Sequence, residues 1–379
     1  MRYPGIEFLV VGAGLSGMTA ARRLVDHGRK VLIVERRDYV GGLCSAYVDQ
    51  ETGIEVHRHG THVLHSSNTK AIDFLSRFFS LNHYRHRVFA YHDGKTFPLP
   101  VNLATINQFY GMDLDPKRAK NLLRIFSSHS NRERSQHSSI PLPDNFEDVM
   151  VSRMGRALYE AFIEGYTKKH WGTDPKRLPA SLGERVPVRT NYNGDYFTDP
   201  WQGLPIGGYN RLFSQLVRGI PLELGVDYQR ATGLYPPDVK TVYTGSLDTY
   251  FNYCYGLLPW RGIEVVPEVH QVGDYQGTAV INFPDPGVPQ TRTHEFKHLH
   301  PEAKVSHRKT IVAPEFASPQ GETSYPMEEE GDLAKRYRLA SEMEPNVFFL
   351  GRMATYRYLN MDQAVTRAID LADALCKTT

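Results

Sequence analysis

Cysteine is scarce in this sequence. Cys44, Cys254 and Cys376 are its three cysteines in 379 residues and form no CxxC or Cys/His grouping, so neither a disulfide framework nor a metal site is expected. Long apolar runs are missing too. Stretches such as residues 8–11 and 31–34 fall far short of the ~20 residues a membrane helix needs, so no membrane partner is expected. Neither sign of charge dominates: 44 Lys and Arg against 42 Asp and Glu leave +2, and no whole-molecule field draws the chain to nucleic acid or an anionic bilayer. An anionic ligand has to be met by local arginines. There are no internal repeats or low-complexity tracts, and residues 1–4 run into a strand with no apolar signal segment, so reduced thiols and a cytoplasmic address are expected.

What is present is an ordinary globular composition, 41% hydrophobic and 23% charged, over a length greater than one core usually organises. Two or three domains are expected. Residues 8–11 form a short β-branched apolar run, read as a strand buried on both faces, and Gly12-Ala13-Gly14-Leu15-Ser16-Gly17 follows at once. In this GxGxxG the first glycine permits a tight turn, the second lets backbone approach a pyrophosphate, and the third lets helix and strand pack closely. A helical pattern through Met18, Ala21 and Leu24 ends at Gly28, and a second strand at 30–34 closes on Glu35, placed to bind a ribose hydroxyl. The plainer reading is a glycine turn in an α/β core with Glu35 as a solvated strand end. A second glycine turn, Gly41-Gly42, resembles FAD rather than NAD proteins of the glutathione-reductase and amine-oxidase type.

Further along, Ala71, Phe74, Leu75, Phe78 and Phe79 share one face of a helix predicted over 71–81. Two prolines make 97–102 extended, and helix dominates from 106 to about 164, broken by a polar stretch at 127–139 that reads as a solvated, mobile loop. Residues 156–170 read as another amphipathic helix. Short β-rich pieces at 241–243, 263–266, 279–283 and 291–296 suggest an antiparallel sheet, followed by a buried strand at 346–350 and a closing helix at 361–375.

Several strings together resemble the UDP-galactopyranose mutase family: HGTHVLHS at 59–66, FPLPVNLATINQF at 97–109, GYTKKHWGTDPKRLPAS at 165–181, RVPVRTNYNGDYF at 185–197, QGLPIGGY at 202–209, RTHEFKH at 292–298 and GRMATYRYLNMD at 351–362. The resemblance implies an α/β fold in three pieces. These are a discontinuous Rossmann-like FAD-binding domain (1–82, 205–245 and 315–379), a helical domain with a mobile loop (83–180) and a twisted antiparallel β-sheet (181–204 and 246–314). It also implies an isomerase that interconverts pyranose and furanose forms of a UDP-hexose, UDP-galactose or a close relative. In that family N5 of reduced FAD attacks the anomeric carbon, with no net redox change. A UDP-sugar is the implied partner, and a homodimer is left open.

The resemblance assigns residues. Arg185 and Arg292 match the diphosphate arginines, fixed cations suited to a leaving group that must be recaptured, and with His62, beside the flavin, they form the implied catalytic set. Tyr196, Tyr325 and Tyr358 match tyrosines that donate to the phosphates. Tyr166 and Trp171 match the uridine end, with Phe162 and Thr167 counted beside them, and Asn282 and Asn360 face the sugar. The implied FAD contacts are Gly12, Gly14, Leu15, Ser16, Gly17, Glu35, Arg36, Gly42, Leu43, His62, Arg352, Tyr358 and Met361. Without the resemblance, the arginines read as surface ion pairs, the aromatics as core and Asn282 as a strand-edge amide. Thr61, Leu43, Leu64 and Ser66 depart from the family pattern, and Asn360 stands where it carries an acid, which puts galactose itself in question. An FAD amine oxidase or desaturase is the rival enzyme and a nucleotide sensor the rival non-enzyme. Either lacks a need for paired diphosphate arginines.

Overall fold

The computed structural model describes residues 2–134, 143–231, 235–236, 238–303, 308–319, 322–327 and 331–377. The chain groups into two units, one of Met1–Tyr84, Asp199–Gly262 and Glu322–Thr379, the other of Arg85–Thr198 and Ile263–Gly321.

The first unit is built on a five-stranded parallel sheet in the order Val347–Phe349, Lys240–Tyr243, Phe8–Val11, Val31–Glu35, Leu222–Leu224. Phe8–Val11 and Val31–Glu35 are buried at every position, as unbroken apolar runs must be when both faces of a sheet are covered. Truncating Leu9 or Leu32 to Ala would cost about 2–5 kcal/mol. The strand order reverses between Phe8–Val11 and Lys240–Tyr243, the place beyond which ligands bind in such sheets. The helix Leu15–Asp26 buries Met18, Ala21 and Leu24 and packs along the closing helix Met361–Lys377. The β-rich pattern alone puts 241–243 in the antiparallel sheet, whereas the domain division that the resemblance implies puts 205–245 with the FAD-binding segments. Lys240–Tyr243 is a central parallel strand of the first unit, with Thr241, Val242 and Tyr243 buried on both faces.

The helix expected over 71–81 stops early. It runs Thr69–Leu75, with the Asn68 side chain capping Lys70 N at 3.0 Å. Beyond it the chain is drawn out of helical geometry by backbone bonds to another segment, Ile206 N to Ser80 O at 2.9 Å and Asn82 N to Leu204 O at 2.8 Å.

The second unit joins helices to a mixed sheet. Leu103–Tyr110 starts at a reciprocal cap between Asn102 and Thr105, and Pro116–Arg134 follows. That helix runs through 127–134, where a loop was expected, and 135–139 lie outside the described residues. The expected helix at 156–170 is Arg156–Tyr159, one wider π turn at Glu160–Glu164, then Gly165–Trp171. The strands run in the order Thr310–Ser318, Arg292–Glu295, Val280–Asn282, Val88–His92, Lys95–Leu99, with Glu268–His270 also pairing Thr310–Ser318. The expected antiparallel sheet is present: every neighbouring pair in that run is antiparallel except Val280–Asn282 with Val88–His92, which is parallel. The long chain between those two strands allows the crossover. Helical and sheet segments both fall in this unit.

Candidate functional site

In the first unit the glycine turn leaves no room for side chains. A Cβ on Gly12, which has φ +104°, would lie 2.1 Å from Thr244 Oγ1, and one on Gly17 would lie 2.0 Å from Gly12 O. Gly14 caps the helix with no side-chain bond, and the first turn holds no acid, so the uncapped amides suit an anion. Against this turn lies the second: Gly41 N donates to Ala13 O at 2.8 Å, and Gly42, at φ +56°, brings its Cα to 3.8 Å from where a Gly14 Cβ would be. Backbone thus faces backbone, a cradle that any side chain would fill. Leu43 lies in the short turn Gly42–Cys44, and Ser16 Oγ sits where a Gly351 Cβ would meet it at 3.0 Å. Leu15 is buried, whereas Arg36 is exposed beyond the strand.

Glu35 is buried and not a solvated strand end. Its two oxygens accept from Ala13 N at 2.8 Å and Arg37 N at 2.9 Å, tying both strand ends together. A carboxylate offers about four lone-pair positions, so acceptor capacity remains for a ribose hydroxyl.

His62 is held at three points. Its backbone N–H donates to His57 Nδ1 at 3.1 Å, its carbonyl accepts from Tyr209 OH at 3.0 Å, and its Nδ1 lies 2.9 Å from Gly60 O. A carbonyl only accepts, so Nδ1 carries the proton and Nε2 is the acceptor. Burial is the main force that lowers the His62 pKa to about 3, against the Gly60 contact, so the ring is neutral. Nearby, Met361 Sδ is 3.9 Å from Tyr209 OH, and Ser66 Oγ donates to Asp362 Oδ2 at 2.7 Å. The departure at Ser66 therefore keeps a hydroxyl that braces the closing helix.

Arg352, Tyr325 and Tyr358 form a stack. The tyrosine rings are nearly parallel at 5.9 Å, and the Arg352 guanidinium lies 4.5 Å from the Tyr358 ring centre while donating to Leu359 O at 2.7 Å. Asn360 sits at the start of the closing helix, its N–H bonded to Gln363 Oε1 at 2.9 Å and its carbonyl accepting from Ala364 N at 3.0 Å.

In the second unit Arg292 pairs in register with Asn282 on one side and Glu315 on the other, so the three share one face of the sheet. Arg292 Nε is 2.9 Å from Glu315 Oε1, and its Nη2 donates to Tyr166 OH. Burial works to raise the Glu315 pKa, but the Arg292 guanidinium and the His294 hydrogen bond outweigh it and hold the carboxyl down to about 2. Asn282 Oδ1 is buried and has no hydrogen-bond partner among the described residues, which speaks against a satisfied strand-edge amide. Tyr166 stacks on His170 at 5.8 Å, and Trp171 meets His170 edge-on at 5.5 Å. Thr167 is buried in the same helix, and Phe162 is buried edge-on to Phe97 and Phe109 in an aromatic core.

Arg185 ends the helix Ala180–Glu184 and is exposed. Tyr196, also exposed, packs edge-on to His86 while its N–H donates to His86 O at 2.8 Å. Their shared segment is shaped from inside by Arg189, whose guanidinium donates to Asn193 O and Asp195 O at 3.0 and 2.6 Å. Sequence reasoning missed Glu315, His294, Tyr209 and Lys169. A lone acid inside the apolar run TIVAPEFAS was a readable signal for Glu315.

A parallel sheet with its order reversed beyond the first strand, two glycine turns back to back and a buried acid define a dinucleotide-binding protein of Rossmann type. Residues 10–78 match the model for an NAD(P)-binding Rossmann-like domain, and residues 161–358 match the model for UDP-galactopyranose mutase. Among curated proteins, the chain is 35% identical to the probable UDP-galactopyranose mutase of Klebsiella pneumoniae, covering 97% of this chain and 94% of that one. It is 34% identical to the dTDP-fucopyranose mutase of Escherichia coli, covering 98% of each. A crystal structure of reduced UDP-galactopyranose mutase shares the fold, with TM-score 0.76 and 15% identity over 99% of this chain and 94% of that one. The chain belongs to the UDP-galactopyranose mutase family.

Proposed function

We propose that this chain is a flavin-dependent mutase that interconverts the pyranose and furanose forms of a nucleoside-diphosphate hexose, with UDP-galactose the first candidate. The observation that carries the reading is the face formed by Asn282, Arg292 and Glu315: a guanidinium fixed by a carboxylate beside a buried amide oxygen without a partner. Such a face suits an anion joined to a hydroxyl-rich group.

The back-to-back glycine turns and Glu35 fit FAD, and those residues, with Arg352 and His62, would hold it. In its reduced form FAD supplies an electron-rich N5 able to attack an anomeric carbon. Arg292 and Arg185 hold the departing diphosphate and keep it for recapture, since guanidiniums do not lose their proton. Glu315 fixes the direction of Arg292 by holding its Nε edge. Tyr325, Tyr358 and Tyr196 carry phenolic hydrogens suited to phosphate oxygens, and Tyr166 with Trp171 supplies ring faces for the base. Neutral His62 offers an acceptor at Nε2 and brings no positive charge to the flavin side. Reduced flavin and the free thiols Cys44, Cys254 and Cys376 suit a reducing compartment, and the cytoplasm is the proposed location.

A second reading, a 6-deoxyhexose carried on dTDP, is favoured by Asn360, which replaces an acid with an amide, and by the similarity to the dTDP-fucopyranose mutase. One experiment tests both against an oxidase. Dithionite-reduced protein is incubated with UDP- and dTDP-hexoses and followed by NMR for furanose signals. Activity is expected only after reduction, with no reductant consumed per turnover. Equal rates from oxidised protein, or oxygen consumption in place of isomerisation, would sink the proposal.

A further inference from the structure

Lys169 carries no role in the reading above, yet its surroundings are unusual. Its ammonium donates into a ring of four main-chain carbonyls, those of Phe283, Asp285, Val288 and Gln290, the last three at 3.0, 2.8 and 3.1 Å. All four belong to the connection between the strands Val280–Asn282 and Arg292–Glu295. An ammonium has three protons, so four acceptors saturate it, and the connection is wrapped round the charge rather than merely touched by it.

A second contact repeats the lock one turn earlier. Gly165 is four residues before Lys169 and so on the same helical face, and a Cβ there would meet Pro284 O at 2.2 Å. The connection therefore lies backbone against backbone on the helix Gly165–Trp171. That helix presents Tyr166 and Trp171, while the two ends of the connection present Asn282 and Arg292, which are paired with each other in register. The connection is also closed on itself by Phe283 N to Thr291 O at 2.9 Å and Val288 N to Asp285 O at 3.1 Å.

We infer that Lys169 is a positioning residue: its ammonium straps the 283–290 connection to the aromatic helix and thereby sets Asn282 and Arg292 against Tyr166 for nucleotide recognition. The inference rests on the proposed function for the claim that these residues meet a nucleotide, but not for the strap itself. Burial lowers the Lys169 pKa to about 8, against Asp285, whose carboxylate works to raise it and is itself paired with His92. The strap should accordingly loosen in mild alkali.

The test uses the full chain loaded with FAD, as wild type, Lys169→Met and Gly165→Ala. Hydrogen exchange of the amides of residues 283–290, measured without nucleotide, should speed up about tenfold or more in both variants, a loss of roughly 1.4 kcal/mol of local protection. UDP titrations should show affinity weakened about tenfold in both, with flavin content unchanged. In the wild type UDP affinity should fall as pH rises through about 8, and this step should vanish in Lys169→Met. Unchanged exchange in the folded Lys169→Met protein, or a pH step that persists in it, overturns the inference. Should Lys169→Met not fold, wild-type exchange in Gly165→Ala and a flat wild-type pH profile overturn it equally. A strap that behaves as described in a protein that binds neither UDP nor dTDP would instead refute the proposed function.

Discussion

Arg292 and Glu315 stand opposite each other on neighbouring antiparallel strands, with Nε 2.9 Å from Oε1, and each has a second partner, Tyr166 for the arginine and His294 for the acid. Because the guanidinium is tied on its Nε edge to the acid, its direction is set before any ligand arrives. Such preorganisation reduces the ordering cost of binding.

Replacing Arg292 or Arg185 by Ala should remove a charge-assisted contact of about 1.5–3 kcal/mol, or roughly 10 to 150-fold in UDP affinity. Lys should rescue only partly, since the planar fork is lost. Glu315→Gln leaves Arg292 without its counter-charge and should cost about 3 kcal/mol of stability as well as UDP affinity. The Glu315 carboxyl lies below its ordinary 4.5 in the folded chain, so its contribution is complete above that value and is lost as pH falls towards about 2. Acid unfolding followed by circular dichroism should therefore begin at higher pH in wild type than in Glu315→Gln once their midpoint stabilities are matched. Coincident acid profiles would remove the pair from this account.

His62 contributes with the same sign, in a window that opens at higher pH. Its pKa is lowered from 6.5 to about 3, so the neutral ring stabilises the fold above 6.5 and that stability drains away as pH falls towards 3. Turnover should show no His62 inflection between pH 5 and 8. His62→Ala should slow isomerisation while UDP affinity, measured by titration, stays within about twofold, the scatter expected for a residue outside the phosphate contacts. An equal loss of both would move His62 out of the cofactor role.

The cradle of glycines makes a sharper structural demand. A Cβ at Gly17 would overlap Gly12 O at 2.0 Å, and one at Gly42 would approach Gly14 Cα at 3.1 Å from a left-handed backbone. Neither neighbour is a flexible side-chain end that could swing aside. Gly17→Ala and Gly42→Ala proteins should purify with little or no FAD, read from absorbance at the flavin band after denaturation. Stoichiometric FAD in both variants would show that the cofactor does not use this cradle.

How far the sequence was readable follows from the range of the forces involved. The first strand, the glycine turn, the helix to Gly28 and Glu35 are consecutive, so periodicity and turn chemistry displayed them directly. Local pattern alone puts Lys240–Tyr243 in the wrong sheet, and only the resemblance places it with the FAD-binding segments, because its partners, Phe8–Val11 and Val347–Phe349, are distant in sequence and a short buried strand looks alike in either sheet. The helix at 71–81 was overextended because its apolar spacing continues while backbone bonds to Leu204 and Ile206 take the chain away. Arg292 was found through a motif. Glu315, which orients it, has no local pattern beyond an acid in an apolar run, and Lys169 reads as one of two adjacent surface lysines until its four carbonyls are seen.

Asn360 offers the cleanest probe of which sugar is used, because its place in the fold separates structure from selectivity. Its backbone begins the closing helix: the N–H is taken by Gln363 Oε1 and the carbonyl by Ala364 N. Asp and Asn are about equally good at a helix start, and an added negative charge there is favourable by about 0.3–1 kcal/mol, so Asn360→Asp should fold at least as well as wild type. Any change in substrate ranking then reports the side chain and not the helix. An amide both donates and accepts, whereas a carboxylate only accepts, so a hydroxyl that must donate to the acid could be absent or inverted in the sugar that the amide prefers. On the second reading, wild type turns over a 6-deoxyhexose at least as well as galactose when both are carried on the same nucleotide. Asn360→Asp is expected to shift the ratio of kcat/KM values towards galactose by about tenfold, the scale of one hydrogen bond to a charged group. Should the variant fold with unchanged stability and rank the same sugars in the same order, Asn360 acts on the helix alone, and sugar choice must lie with other residues of the pocket.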